Sequence, residues 1–162
     1  LGAHLFLKDL VDTEISGGGS TVRLIEEVVR QVQPTIVYTH SPHDRHQDHR
    51  AINEATTVAT RNVGTVACYQ SPSSTIDFRP SRFVTIDDHV DEKLALLECF
   101  ASQSGIRSYL EPDFVIATAR YWSRFGTGRS CEPLEIVRDA GGVAAPGARG
   151  VRRIAADRQE QA

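Results

Sequence analysis

The chain has 162 residues, of which 40% are hydrophobic and 24% charged, and a formal net charge of −3. This length and composition predict one globular domain with one sizeable core. The small, mixed charge argues against a nucleic-acid partner, because phosphate binding needs a clustered basic surface. No run approaches the roughly 20 apolar residues of a membrane span, and no leader pattern opens the chain. We therefore expect a soluble, cytoplasmic protein.

In chain order, the first half predicts strands that alternate with helices. A short strand is expected over residues 4–7, and a helix with apolar residues at helical spacing follows and ends at Pro34. The β-branched and aromatic run 35–39 predicts a buried strand that leads into a histidine-rich turn. Asp48 is well placed to cap the next helix. The turn is therefore expected to join a strand to a helix.

The second half continues the alternation. Strands are predicted over 65–69, 82–86 and 134–137, and helices are predicted after a cap at Asp87 or Asp88 and from Pro112. We expect residues 1–139 to form the domain and residues 140–162 to form a flexible tail without a core pattern. Strands that alternate with helices predict an α/β fold with an at least partly parallel sheet, in which ligands bind where strands end.

Three widely spaced cysteines, Cys68, Cys99 and Cys131, are expected to be reduced and buried.

The run THSPHDRHQDHR, residues 39–50, contains four of the six histidines of the chain and two aspartates. This density favours a metal or acid/base site over ordinary surface histidines. Within the unit 46–49, His49 can offer a ring nitrogen to a metal from the start of the helix, and His46 can face the same space. Asp48 can orient His46 and keep it charged. Such a set suits hydrolysis of an amide or ester.

The surrounding residues leave alternatives open. His40, at the end of a strand, could contact a substrate, although a loop position without a ligand is the simpler interpretation. Asp44 either anchors the turn or faces the site. For His46 and Asp48 the simpler interpretation is a local hydrogen bond with a helix cap.

The segment YTHSPHDRHQDHRA resembles the second signature of the PIG-L/LmbE family of zinc-dependent N-deacetylases, which has His-x-Asp-His at this place. The resemblance extends over about residues 1–138. It implies a Rossmann-like three-layer α/β domain with a mostly parallel sheet. It also implies that His49 binds zinc, that His46 assists at the tetrahedral intermediate and that Asp48 tunes His46. Known members remove acetyl from N-acetylglucosamine linked to inositol, lipid or other small glycosides, so a small amino-sugar conjugate is the implied substrate.

The chain departs from the family at one point. The first family signature, His-Pro-Asp-Asp, supplies two zinc ligands and a general base, and it is absent here. Because the chain starts with Leu and contains no methionine, we expect a domain that lacks its N-terminal strand and helix. The main hypothesis is a zinc deacetylase, although another divalent ion would also suit a mixed histidine and carboxylate site. The alternative is a truncated, non-catalytic remnant that binds no metal, and a His-Asp phosphohydrolase is a weaker third hypothesis.

Overall fold

Helices and strands alternate along the part of the chain that the computed structural model describes, residues 2–100 and 107–140. The helices are α1 (Gly19–Val32), α2 (Gln47–Ala59), α3 (Val90–Glu98) and α4 (Pro112–Ser123). The strands are β1 (Ile36–Thr39), β2 (Thr65–Tyr69), β3 (Arg82–Thr85) and β4 (Cys131–Asp139). The predicted flexible tail lies outside the described residues, except for Ala140.

The four strands form one sheet in the order β1-β2-β4-β3. β1 and β2 pair in parallel, whereas β4 pairs antiparallel with both β2 and β3. It follows that β1, β2 and β3 point in the same direction and β4 alone runs against them. Three strands therefore share one direction, as a mostly parallel sheet requires. Of the pairings between neighbouring strands, however, only β1 with β2 is parallel. The reason is that β4 is inserted between two strands of the opposite direction.

The core is centred on β2, whose three middle residues Val66, Ala67 and Cys68 are almost fully buried. α2 packs against β1 and α1, and α4 packs against β4 and β3. Small residues such as Ala55 of α2 and Ala119 of α4 lie on the buried helix faces. Close approach of the helices to the sheet follows from these small side chains.

One predicted strand is wrong. Residues 4–7 form no strand, and Leu5 and Leu7 are each 79% exposed. The short apolar run Leu5–Leu7 is suitable for a strand, but within the described residues this segment pairs with no neighbouring strand. The described residues also contain no helix that is both long and apolar enough to cross a membrane.

Candidate metal and catalytic site

The site lies where the carboxyl ends of β1 and β2 meet. Because Thr39 pairs with Cys68, the turn after β1 and the loop after β2 begin side by side. The two segments are joined by backbone hydrogen bonds. The Arg45 amide donates to the Ser73 carbonyl at 3.0 Å, and the Thr75 amide donates to the His43 carbonyl at 2.9 Å. This is the edge at which ligands bind in parallel α/β sheets.

Three of the clustered histidines stack as one column of rings. The His40 and His49 ring centres are 3.7 Å apart with an angle of 10° between the ring planes, and His46 lies 4.6 Å from His49 on an almost parallel plane. His49 is therefore the middle ring. The fourth histidine, His43, points elsewhere, with Nε2 3.8 Å from Oε1 of Glu135.

His40 follows the last residue of β1, as the sequence predicts, and its ring contacts Tyr69. The Tyr69 hydroxyl lies 3.0 Å from Nε2 of His40, and the Asn53 amide donates to the His40 carbonyl at 2.8 Å. Burial, together with the neighbouring His49 ring, lowers the pKa of His40 to about 4. The ring is therefore neutral near pH 7.

Asp44 is buried beneath this column, and its side chain has no exposed surface. Oδ2 lies 3.0 Å from His49 Nδ1 and also accepts the Ser71 hydroxyl, while Oδ1 accepts the Ser73 hydroxyl at 2.6 Å and the His46 amide at 2.8 Å. Burial alone would raise the pKa of Asp44, but these hydrogen bonds lower it well below its usual range.

The carboxylate oxygens of Asp44 are fully engaged within the protein. Both carboxylate oxygens are occupied by groups of the protein and neither reaches solvent. In this arrangement the Asp44 carboxylate ties the turn to the loop after β2. A contact between Asp44 and a substrate stays a prediction.

Helix α2 begins differently from the prediction. His46 is the N-cap, and its Nδ1 accepts the backbone amide of Asp48 at 3.2 Å. The Asp48 carboxylate instead accepts the amides of Thr13 at 2.7 Å and Ile15 at 3.3 Å, so it ties the segment before α1 to the site. Side-chain atoms of Asp48, His46 and Asp12 nevertheless all lie within 4.8 Å of one another.

The nitrogen and oxygen donors of this region fit a divalent metal. His40, Asp44 and His49 present atoms within 4.8 Å of one another. His49 is the best placed, because a histidine whose Nδ1 is held by a carboxylate keeps Nε2 free for a metal. Asp44 is a poor ligand, since its oxygens are already hydrogen bonded. The residues therefore fit a divalent metal held through His49.

Sequence reasoning assigned no site role to Tyr69, Ser71, Ser73 or Glu135. Glu135 of β4 accepts the Ser41 hydroxyl of the turn at 2.6 Å and the Arg79 amide at 2.9 Å. For Ser71 and Ser73, the sequence signal was their position in a serine-rich, Pro-punctuated loop after β2, which is typical of segments beside a site.

Fold and site together define an α/β protein with a histidine-rich strand-to-helix turn at the carboxyl edge of its sheet. The family model of PIG-L, GlcNAc-PI de-N-acetylase, matches residues 1–60. YaiS of Escherichia coli strain K12, an uncharacterized deacetylase, is 30% identical over 102 residues, which are 59% of this chain and 49% of YaiS. The chain thus spans about half the length of this curated relative. The resemblance to the PIG-L/LmbE-like family is confirmed.

Solved structures support the same fold. The conserved protein TT1542 from Thermus thermophilus has a TM-score of 0.69 at 19% identity, over 87% of this chain and 68% of that one. The zinc-inhibited form of teicoplanin deacetylase Orf2 has a TM-score of 0.57 at 20% identity, over 72% and 51%. GalB, a 4-carboxy-2-hydroxymuconate hydratase from Pseudomonas putida KT2440, has a TM-score of 0.59 at 22% identity, over 84% and 62%. These likenesses confirm the LmbE-like α/β fold. Because a hydratase is among them, the function has to be argued from the site.

Proposed function

We propose that the protein containing this chain is a zinc-dependent deacetylase that removes acetyl from an N-acetylated amino sugar, such as an N-acetylglucosaminyl conjugate. The observation that carries this proposal is the middle position of His49, between two histidine rings and above the buried Asp44. The PIG-L match and the deacetylase relative support the reaction class.

His49 would hold the metal through Nε2, because Nδ1 faces Asp44. The remaining metal ligands would come from residues other than the histidines and aspartates of the turn. The greater length of YaiS is consistent with a further segment that supplies them. When bound, zinc would activate water and polarise the amide carbonyl. Hydrolysis then transfers the oxygen of water to the acyl carbon, breaks the C–N bond and releases acetate and an amine.

His46 is the residue that we propose assists this reaction. Its Nδ1 accepts the Asp48 amide, so the proton of the neutral ring resides on Nε2. Nε2 can therefore donate to the oxyanion or to the leaving nitrogen. Asp48 would tune His46 from a distance and hold residues 13–15 beside it. His40 remains our candidate for substrate contact at the end of β1.

The first experiment measures zinc per chain in the purified 162-residue protein and in a form extended upstream to the nearest in-frame start. Zinc in the extended form would support the proposal. Zinc in neither form would contradict it and favour a non-catalytic remnant that binds no metal.

Variants of two histidines then separate metal binding from catalysis. His49→Ala should lose zinc, because the proposed ligand atom is removed. His46→Asn should retain zinc but lower the turnover of an N-acetylglucosaminide by about 10²- to 10⁴-fold, since general acid/base assistance is lost. Asn can still accept the Asp48 amide, so the helix cap is preserved. Surface His89→Ala is the control, and turnover in His46→Asn equal to that control would remove His46 from the mechanism.

A further inference from the structure

We propose that Asp44, held by Ser71 and Ser73 of the loop after β2, is a positioning residue that sets the tautomer and orientation of His49. This inference rests on the proposed function, because it explains how the metal-facing atom of that site is held. None of the signature roles implied by the family resemblance belongs to Asp44.

The Asp44 carboxylate is completely enclosed. Its side chain has no exposed surface, and its two oxygens receive the Ser73 hydroxyl, the Ser71 hydroxyl, the His46 amide and the His49 ring. A carboxylate held by this many partners has one orientation. The contact with His49 is therefore fixed in direction and is not one of several side-chain arrangements.

The contact with Asp44 determines which nitrogen of the neutral His49 ring carries the proton. A carboxylate can only accept a hydrogen bond, so the 3.0 Å contact requires a hydrogen on Nδ1. In the neutral ring this leaves the Nε2 lone pair free, which is the form that binds a metal. The stacked rings of His40 and His46 limit rotation of the His49 ring about this hydrogen bond.

The loop after β2 takes part in this geometry through its serines. Ser71 and Ser73 reach Asp44 across 27 and 29 residues of sequence, and an isolated backbone bridge between Asp44 and Ser74 holds the two segments together. The Ser71 hydroxyl shares Oδ2 of Asp44 with His49, whereas the Ser73 hydroxyl holds Oδ1. The loop therefore contributes to how His49 is held without contacting the metal position itself.

The first test needs no metal. Nitrogen-15 NMR of the neutral His49 ring in the metal-free 162-residue chain should find the ring proton on Nδ1. Finding the proton on Nε2 in the unmodified chain would overturn the inference. In Asp44→Asn the amide group can donate to Nδ1, and we expect a gain of the Nε2-protonated form.

The second test measures zinc affinity by competition with a chelator in the extended chain. Asp44→Asn should weaken binding by about 10- to 100-fold, the range found when a carboxylate partner of a metal-bound histidine is removed. The control is Asp77→Asn, which changes an exposed carboxylate of the same loop and should leave affinity unchanged. Circular dichroism establishes that each variant is folded, and Ser73→Ala, with a smaller loss of affinity, serves if Asp44→Asn does not fold.

The outcomes separate the two proposals. If the unmodified extended chain binds no zinc, the proposed function fails, and the His49 tautomer alone decides the positioning role. If the unmodified chain binds zinc and Asp44→Asn binds it equally well, the proposed function stands and the positioning role is refuted.

Discussion

At the scale of single residues, burial separates the three cysteines. Cys68 and Cys131 are almost fully buried, whereas Cys99 is exposed, which corrects the expectation that all three are buried. Burial, with a smaller contribution from the charge of Glu135, raises the pKa of the Cys68 thiol to about 11. Because the thiolate is the reactive form, Cys68 is protected from reagents both by its burial and by the protonation of its thiol.

We therefore predict that one thiol per folded chain reacts rapidly with an aromatic disulfide reagent at pH 8, and that Cys99→Ser removes this fast phase. Denaturant should release all three thiols. A fast phase that persists in Cys99→Ser would show that a buried cysteine is accessible.

The residues of the site differ in how far the sequence could predict them. His40, His46 and His49 lie within ten consecutive residues at the end of a strand, so their proximity follows from local structure. The role of Asp44 depends on Ser71 and Ser73, which only the pairing of β1 with β2 brings near. A local pattern contains no information about that pairing.

At the scale of elements, the turn between α4 and β4 depends on a close approach. A Cβ atom added at Gly126 would lie 2.7 Å from the Cys131 sulfur and 3.2 Å from the Phe83 Cβ atom. Cys131 is 1% exposed and packs at the start of β4, so its side chain has little room to move.

Gly126→Ala should therefore lower the free energy of unfolding by about 1 to 3 kcal/mol, the usual cost of overpacking a core. Urea denaturation measures this difference. Gly64→Ala is the matched control, because its added Cβ would meet only the Thr35 carbonyl at an ordinary 3.7 Å. Equal stability of the two variants would contradict the assigned packing.

Strand β4 is longer than the sequence predicted. The prediction began it at Leu134, but the strand begins at Cys131 and Pro133 pairs with Phe83 of β3. Proline lacks an amide hydrogen and is normally evidence against an interior strand. The insertion of β4 between β2 and β3 is a long-range arrangement that periodicity does not encode. By contrast, 65–69 was predicted correctly because its β-branched residues are followed by a clear loop signal.

At the scale of the whole molecule, the stability of the fold should depend on the protonation of His40. Its pKa is about 4 in the folded chain and 6.5 in the absence of the fold. Between these values the unfolded chain binds a proton that the folded chain does not. The free energy of unfolding should therefore fall as the pH is lowered from about 6.5 towards 4.

Urea unfolding of metal-free protein across this pH range measures the effect. His40→Gln should show a shallower fall than the unmodified chain, whereas the surface variant His89→Gln should keep the original slope. Parallel pH profiles for the chain and for His40→Gln would contradict the assigned burial of the His40 ring.

The backbone hydrogen bonds between the turn after β1 and the loop after β2 have a consequence for protein engineering. Residues 71–75 are bonded to residues 43–45, so an exchange or insertion there would displace Asp44 and with it the His49 ring. Ile76 and Asp77, immediately afterwards, are exposed. Loop libraries should therefore keep 71–75 constant and diversify only the exposed Ile76 and Asp77, which make no hydrogen bond to Asp44 or to the histidine column.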